Sequence, residues 1–146
     1  MKYTRSPGDP RNMTDSSLSS LGAKVVVASS GDENHPPENI TDGSTETFWM
    51  STGMFPQEFI VRFAEATTMS AVTVDSYNVK HLRIEKTASQ NASQFELVTE
   101  KEFGHTEGHL QSNVVSLNGS SATHLRFIIT TGYDHFVSVH RVTVQN

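Results

Sequence analysis

The 146-residue sequence predicts an all-β fold, a two-sheet sandwich, on three observations. Apolar residues recur with period two in one short segment after another. No window carries a sustained helical stripe, and clusters of Gly, Asn, Ser and Pro divide the segments. Strands spaced roughly 12–20 residues apart build stacked antiparallel layers, not βαβ units.

Each segment has its own pattern. Ala23 to Ala28 is a short β-branched run bounded by Gly22 and Ser29-Ser30-Gly31. In Gln57 to Phe63, Phe59, Val61 and Phe63 share one face and Glu58 and Arg62 take the other. Val72 and Val74 alternate with Thr73 and Asp75, and Leu82 and Ile84 with His81, Arg83 and Glu85. Phe95 and Leu97 open a further dry face, and Val114 to Leu117 is a short run. Leu125, Phe127 and Ile129 alternate with Arg126, Ile128 and Thr130. The last segment changes parity, since Val137 and Val139 hold one phase and Val142 and Val144 the other. A β-bulge near His140 and Arg141 resets the phase and keeps all four valines buried.

A chain of this length can bury roughly two-thirds of the surface its unfolded form exposes, so it needs no disulfide; it has no Cys to form one. The formal charge is −5, from 11 basic and 16 acidic residues in no block of like sign. A nucleic-acid binder needs a basic face to displace counterions from phosphate, and the balance argues against that class. No run approaches the ~20 apolar residues of a membrane span. Residues 1–15 are polar and read as a flexible tail; residues 16–146 read as one domain. Met1 to Gly22 has no apolar signal core, so the chain is expected in the cytoplasm and not secreted. On that reading the sequons at Asn12, Asn39, Asn91 and Asn118 are chance occurrences.

The most informative stretch runs from His35 to Trp49. Pro36-Pro37 fixes an extended approach, and Asp42-Gly43 is a turn pair in which Gly43 is free to take positive φ. Oxygen-bearing Asn39, Asp42, Ser44 and Thr47 crowd around that turn. Calcium is a hard cation that takes about six to eight oxygens in forgiving geometry. Asp42 is the candidate charged ligand, Thr47 offers a hydroxyl and a carbonyl, and Asn39 and Ser44 offer backbone carbonyls. The plainer alternative is an ordinary Asp-Gly turn with polar neighbours. Trp49, the only Trp, reads as a core anchor in preference to a sugar-stacking platform.

The frame Asn39-x-x-Asp42-Gly43-x-x-x-Thr47-x-Trp49, followed by Pro56 to Val61, resembles the galactose-binding-like (discoidin, or F5/8 type C) superfamily. That resemblance implies a jelly-roll β-sandwich with a structural Ca2+ in this loop. More narrowly, several strings together look like the intraflagellar transport protein 25 family. They are His35 to Ile40, Glu46 to Trp49, Thr52 to Ile60, Leu82 to Lys86, His105 to Gly108, Leu125 to Ile129 and Asp134 to His140. The resemblance spans roughly Leu18 to Val144. It implies a non-enzymatic subunit of the intraflagellar transport B complex, located in the cilium. It also implies a heterodimer with a Rab-like small GTPase, intraflagellar transport protein 27, contact with other subunits of that complex, and export of Hedgehog-pathway cargo. One departure stands out. Many carbohydrate-binding relatives complete the calcium cage with a Glu in the final strand, whereas Val139 to Val142 offers no carboxylate and Arg141 opposes a cation unless it points away.

Other constellations are weaker. His105, Glu107 and His109 share a face on an extended strand and suit zinc, but Gly104 and Gly108 favour a solvated loop. Asp134-His135 looks like half of a dyad, without a strained nucleophile beside it. No phosphate-loop motif occurs. Phe55, Tyr77, Phe103, Tyr133 and Phe136 are loop-borne aromatics and form a candidate contact surface. The expected function is docking, with a carbohydrate- or lipid-headgroup-binding domain as the alternative.

Overall fold

The computed structural model describes residues 15–17, 23–29, 40, 49–51, 54–88, 94–106, 109–134 and 137–145, the first three by backbone alone. All regular structure in them is strand apart from a single 3₁₀ residue, Ile40. The strands are β1 (Asp15–Ser17), β2 (Lys24–Ala28), β3 (Trp49–Met50), β4 (Gln57–Tyr77), β5 (Val79–Thr87), β6 (Glu96–Glu102), β7 (Gln111–Gly132) and β8 (Ser138–Gln145). Every pairing is antiparallel.

Two strands run far longer than the alternation over 57–63 and 125–129 suggests. β4 has 21 residues and β7 has 22, and the two pair along most of their lengths. Their first and second halves serve different layers. The first half of β4 joins β2 and the second half of β7, which carries β5 and then β6. The second half of β4 joins the first half of β7 and β8, and β8 carries β1 and β3. The pair bends where its register shifts, between Arg62 and Thr67 and again between Met69 and Ala71. At the second bend Asn118 (φ 57) and Gly119 (φ 70) adopt left-handed backbone, which suits Asn and Gly. The inner faces of both layers meet in one apolar cluster. This is the jelly-roll β-sandwich that the resemblance implies.

The alternation reads out as expected over most of the chain. Phe59, Val61, Phe63, Leu125, Phe127 and Ile129 are buried, with Phe59 stacked on Phe127 at 4.8 Å and met edge-on by Trp49 at 5.6 Å. Trp49 is fully buried, as a core anchor should be. In β8 the parity change is a bulge: Asp75 pairs with Arg141 and Ser76 with Val139, leaving His140 as the extra residue. Val137, Val139, Val142 and Val144 are all buried as a result. The phase of β6 differs from expectation. Val98 is a second bulge, since Ile84 faces Thr99 and Glu85 faces Leu97. Leu97 therefore points outward and is 49% exposed, while Val98 packs on the core.

Gln111 fastens the strand ends. Its buried side-chain amide accepts from Ser76 Oγ and the Val79 N–H and donates to the carbonyls of Val79 and Gly104. The tight turn between β4 and β5 rests on Asn78 at φ 66, whose carbonyl accepts from the Tyr133 N–H at 2.8 Å.

Candidate functional site

The proposed calcium ligands, Asn39, Asp42, Ser44 and Thr47, lie outside the described residues. The structure gives the two ends of their loop. Ile40 and Trp49 are both fully buried, and Trp49 pairs with Val139 on β8. Ser51 reinforces that end, its N–H donating to the Val137 carbonyl and its hydroxyl accepting from the Val137 N–H. β8 continues from Val139 through its bulge to Arg141. There Arg141 Nε donates to Asp75 Oδ2 at 3.0 Å, and Asp75 is almost wholly buried. The arginine that replaces the expected carboxylate thus has its charge neutralised from β4. That same pair commits Asp75, the buried carboxylate among the described residues of this layer. A Ca2+ bound by the proposed ligands would draw its negative charge from Asp42 and the rest of its shell from hydroxyls and carbonyls, the oxygen chemistry a hard cation takes.

The outer face of the layer built from β2, β4, β7, β5 and β6 holds the other organised set. Register sets its side chains in rows across the strands. The central row runs Leu97, Glu85, Arg126, Ile60, Val27, from β6 to β2. The next row is Glu100, Arg83, Ile128, Glu58. At the crossing of these rows Arg126 donates to Glu58 through Nη2 at 2.8 Å and Nε at 3.2 Å, and reaches Glu85 at 3.4 Å. The Glu58 hydrogen bond holds the Arg126 guanidinium above its ordinary range, with burial working the other way. Arg83 Nε stands 2.9 Å from Glu85 Oε2, but the alignment is too poor for a hydrogen bond, so the contact is ionic only. Phe95 places its ring 5.6 Å from the Arg126 guanidinium. Beyond this network lie apolar residues: Val27 and Leu97 are close to half exposed at opposite ends of the central row, with Ile60 and Ile128 half-buried between them. A fixed charge pattern flanked by exposed aliphatics is what a protein partner can register against and bury.

His105 stacks on Tyr133 at 4.7 Å, whereas His109 lines a separate groove with Tyr77, Leu110, Ser138 and His140; Glu107 is outside the described residues. The two histidines of the zinc reading thus have different described neighbours, and no cluster of three potential ligands occurs among the described residues. Of the loop aromatics, Phe103 is a correction: it is fully buried, because the β6–β7 connection tucks it beneath Tyr133, whose hydroxyl donates to its carbonyl at 2.6 Å. Phe55 packs on the core, Tyr77 lines the groove, Tyr133 remains 38% exposed and Phe136 is outside the described residues. His135 is also outside them, so the Asp134-His135 pair has no described geometry.

A hydroxyl–imidazole–carboxylate chain does exist elsewhere. His81 Nδ1 meets Thr130 Oγ1 at 2.6 Å and Nε2 meets Glu100 at 3.2 Å. It lies on the open sheet face, and none of the described cavities is lined by it. Neither this set nor the Arg126 network was expected from sequence. The available signal was that Glu58, Arg83, Glu85 and Arg126 all occupy outward phases of their strands; their pairing needed the register.

Residues 25–142 match the F5/8 type C domain family. Over 131 residues the chain is 50% identical to the human intraflagellar transport protein 25 homolog, covering 90% of this chain and 91% of that one. It is 42% identical to intraflagellar transport protein 25 of Chlamydomonas reinhardtii, covering 90% of this chain and 69% of that one. Among solved structures the fold is similar to a family 32 carbohydrate-binding module of C. perfringens NanJ in complex with galactose, with TM-score 0.76 and 16% identity over 90% of this chain and 99% of that one. It is also similar to XRCC1 bound to the DNA polymerase β catalytic domain, with TM-score 0.72 and 12% identity over 84% of this chain and 95% of that one.

Proposed function

Since the chain belongs to the intraflagellar transport protein 25 family of F5/8 type C jelly rolls, we propose that it is a non-catalytic docking subunit of the intraflagellar transport B complex. On this reading it pairs with a Rab-like small GTPase, intraflagellar transport protein 27, contacts other subunits of the complex, and supports export of signalling cargo such as Hedgehog-pathway components from the cilium. Half-identity over nine-tenths of both chains is the observation that carries the reading. The likeness to galactose-binding modules is one of fold alone, and no described residue favours a sugar site.

The outer face around Arg126 is the docking surface this reading assigns. Its central charges are already paired within the chain, so a partner need not desolvate a lone ion there, and its half-exposed aliphatics supply area to bury. A Ca2+ ion held by Asp42 with Asn39, Ser44 and Thr47 has a structural part, stiffening the loop between Ile40 and Trp49.

Co-expression with the Rab-like GTPase tests the central reading. Co-elution of the two chains as a one-to-one species is expected at micromolar concentration. Two folded proteins that elute separately there would contradict it.

A further inference from the structure

At the first bend of the long strand pair, Arg62 faces His124 and the next pair in register is Thr67 with Ala122. Residues 63–66 of β4 therefore stand opposite Thr123 alone, and the strand swings outward. The result is a cavity of about 580 Å³ whose lining includes Arg62, Glu65, Ala88, Thr123 and His124. The register also sets Lys24 beside Arg62 and Thr87 beside His124, so a basic row, Lys24, Arg62, His124, crosses three strands. Neighbouring strands lie about 4.8 Å apart.

The charges of this row differ from those beside it. Arg126 is engaged by Glu58 and Glu85, whereas Arg62 makes no ion pair among the described residues. Glu65 is the one acidic residue of the lining. His124 is 6% exposed, and its ring is oriented by Thr123. Thr123 Oγ1 lies 3.1 Å from the Thr87 carbonyl, to which it can donate, and 2.9 Å from His124 Nδ1. When Nδ1 donates to that hydroxyl, Nε2 carries the lone pair of the neutral ring and becomes a donor only when the ring takes up a proton.

We propose that this corner cavity is a binding site for a tetrahedral oxyanion of the phosphate and sulfate class, held between the Arg62 guanidinium and the Nε2–H of His124. The Arg62 fork suits such an anion, and Lys24, paired with Arg62 in register, adds a point charge from the neighbouring strand. Binding takes one proton from solvent onto Nε2, so the affinity rises as pH falls. Burial, and after it the Arg62 charge, depress the protonation of His124 in the empty site. An anion between the two reverses the second effect. Arg62 is the charge that acts on His124. Glu65 of β4 shares the cavity lining, and Lys24 of β2 continues the row. Arg126 of β7 lies two residues on and is paired with Glu58 of β4 and Glu85 of β5, and Thr87 is the β5 residue opposite His124.

Sulfate does not titrate near neutrality and is the probe. The titration of each histidine in the full-length chain is followed by NMR in sodium sulfate and in sodium chloride of equal ionic strength. The His124 midpoint is expected to rise by roughly half a unit in sulfate, equivalent to about threefold weaker binding to the neutral ring. The rise should vanish in Arg62→Gln, an exposed position that leaves the fold intact. Equal midpoints in the two salts, an unchanged rise in Arg62→Gln, or a common shift of all histidines would overturn the proposal. Repeating the titration with O-phosphoserine assigns the source: a larger rise than with sulfate supports a phosphoryl group carried on a partner, and a smaller one supports a free ion.

Discussion

At the residue scale, buried polar side chains do the fastening, and each makes a measurable claim. Gln111 satisfies groups from three elements with one amide. Gln111→Leu keeps the volume but orphans the Val79 and Gly104 partners. Each buried group left unpaired costs about 1–3 kcal/mol, and the Val79 N–H and carbonyl are both buried, so chemical denaturation should show a loss of about 2–6 kcal/mol. His124 gives the molecule a pH dependence of defined sign. Its folded-state pKa lies below the ordinary value of about 6.5, chiefly through burial and next through Arg62. A depressed base favours the folded state above the unfolded pKa, and that contribution is lost as pH falls below about 6.5. Melting temperature should therefore drop on acidification from pH 7 to 5, and less steeply in His124→Gln. Asp42 carries the ion hypothesis. Calcium should raise the melting temperature of the wild type through preferential binding to the folded state, and Asp42→Ala should abolish that rise. The same calcium response in both proteins would remove Asp42 from the site.

At the element scale, bulges decide which side chains face the core. The extra residue His140 lets Val137 and Val139 share a face with Val142 and Val144. Deleting His140 would force one valine pair outward. At about 1.5–3 kcal/mol for each side chain exposed, a loss of roughly 3–6 kcal/mol is expected by thermal or chemical unfolding. That bulge was legible in the sequence because valines mark both phases around it. The Val98 bulge was not, because polar Thr99 occupies the inward phase after it and Leu97 mimics a core position. The lengths of β4 and β7 were hidden for a related reason. Residues 64–68 carry no apolar alternation, yet the backbone pairing resumes beyond the corner. The fold class was readable from local periodicity, whereas the Arg126 network joins residues up to 68 apart in sequence and depends on register between strands. The calcium ligands around Asp42 are the reverse case, proposed from local residue types and the family resemblance.

On the scale of the whole molecule, a sandwich whose two layers share the same long strands presents a rigid outer face with no need for a moving part. Its ion network spans β4, β5 and β7, flanked by Leu97 on β6 and Val27 on β2, so all five strands of the layer contribute. Docking of a Rab-like GTPase on this face, as proposed, can be tested without disturbing the core. Ile60→Asp with Leu97→Asp changes two outward side chains and leaves the buried cluster untouched. Titration calorimetry of the GTPase into wild type and into this folded double variant is the direct measurement. Binding at or below micromolar Kd in the wild type, weakened at least about tenfold in the variant, is the predicted result; tenfold corresponds to 1.4 kcal/mol. No heat of binding to the wild type, or the same Kd for both proteins, would contradict it.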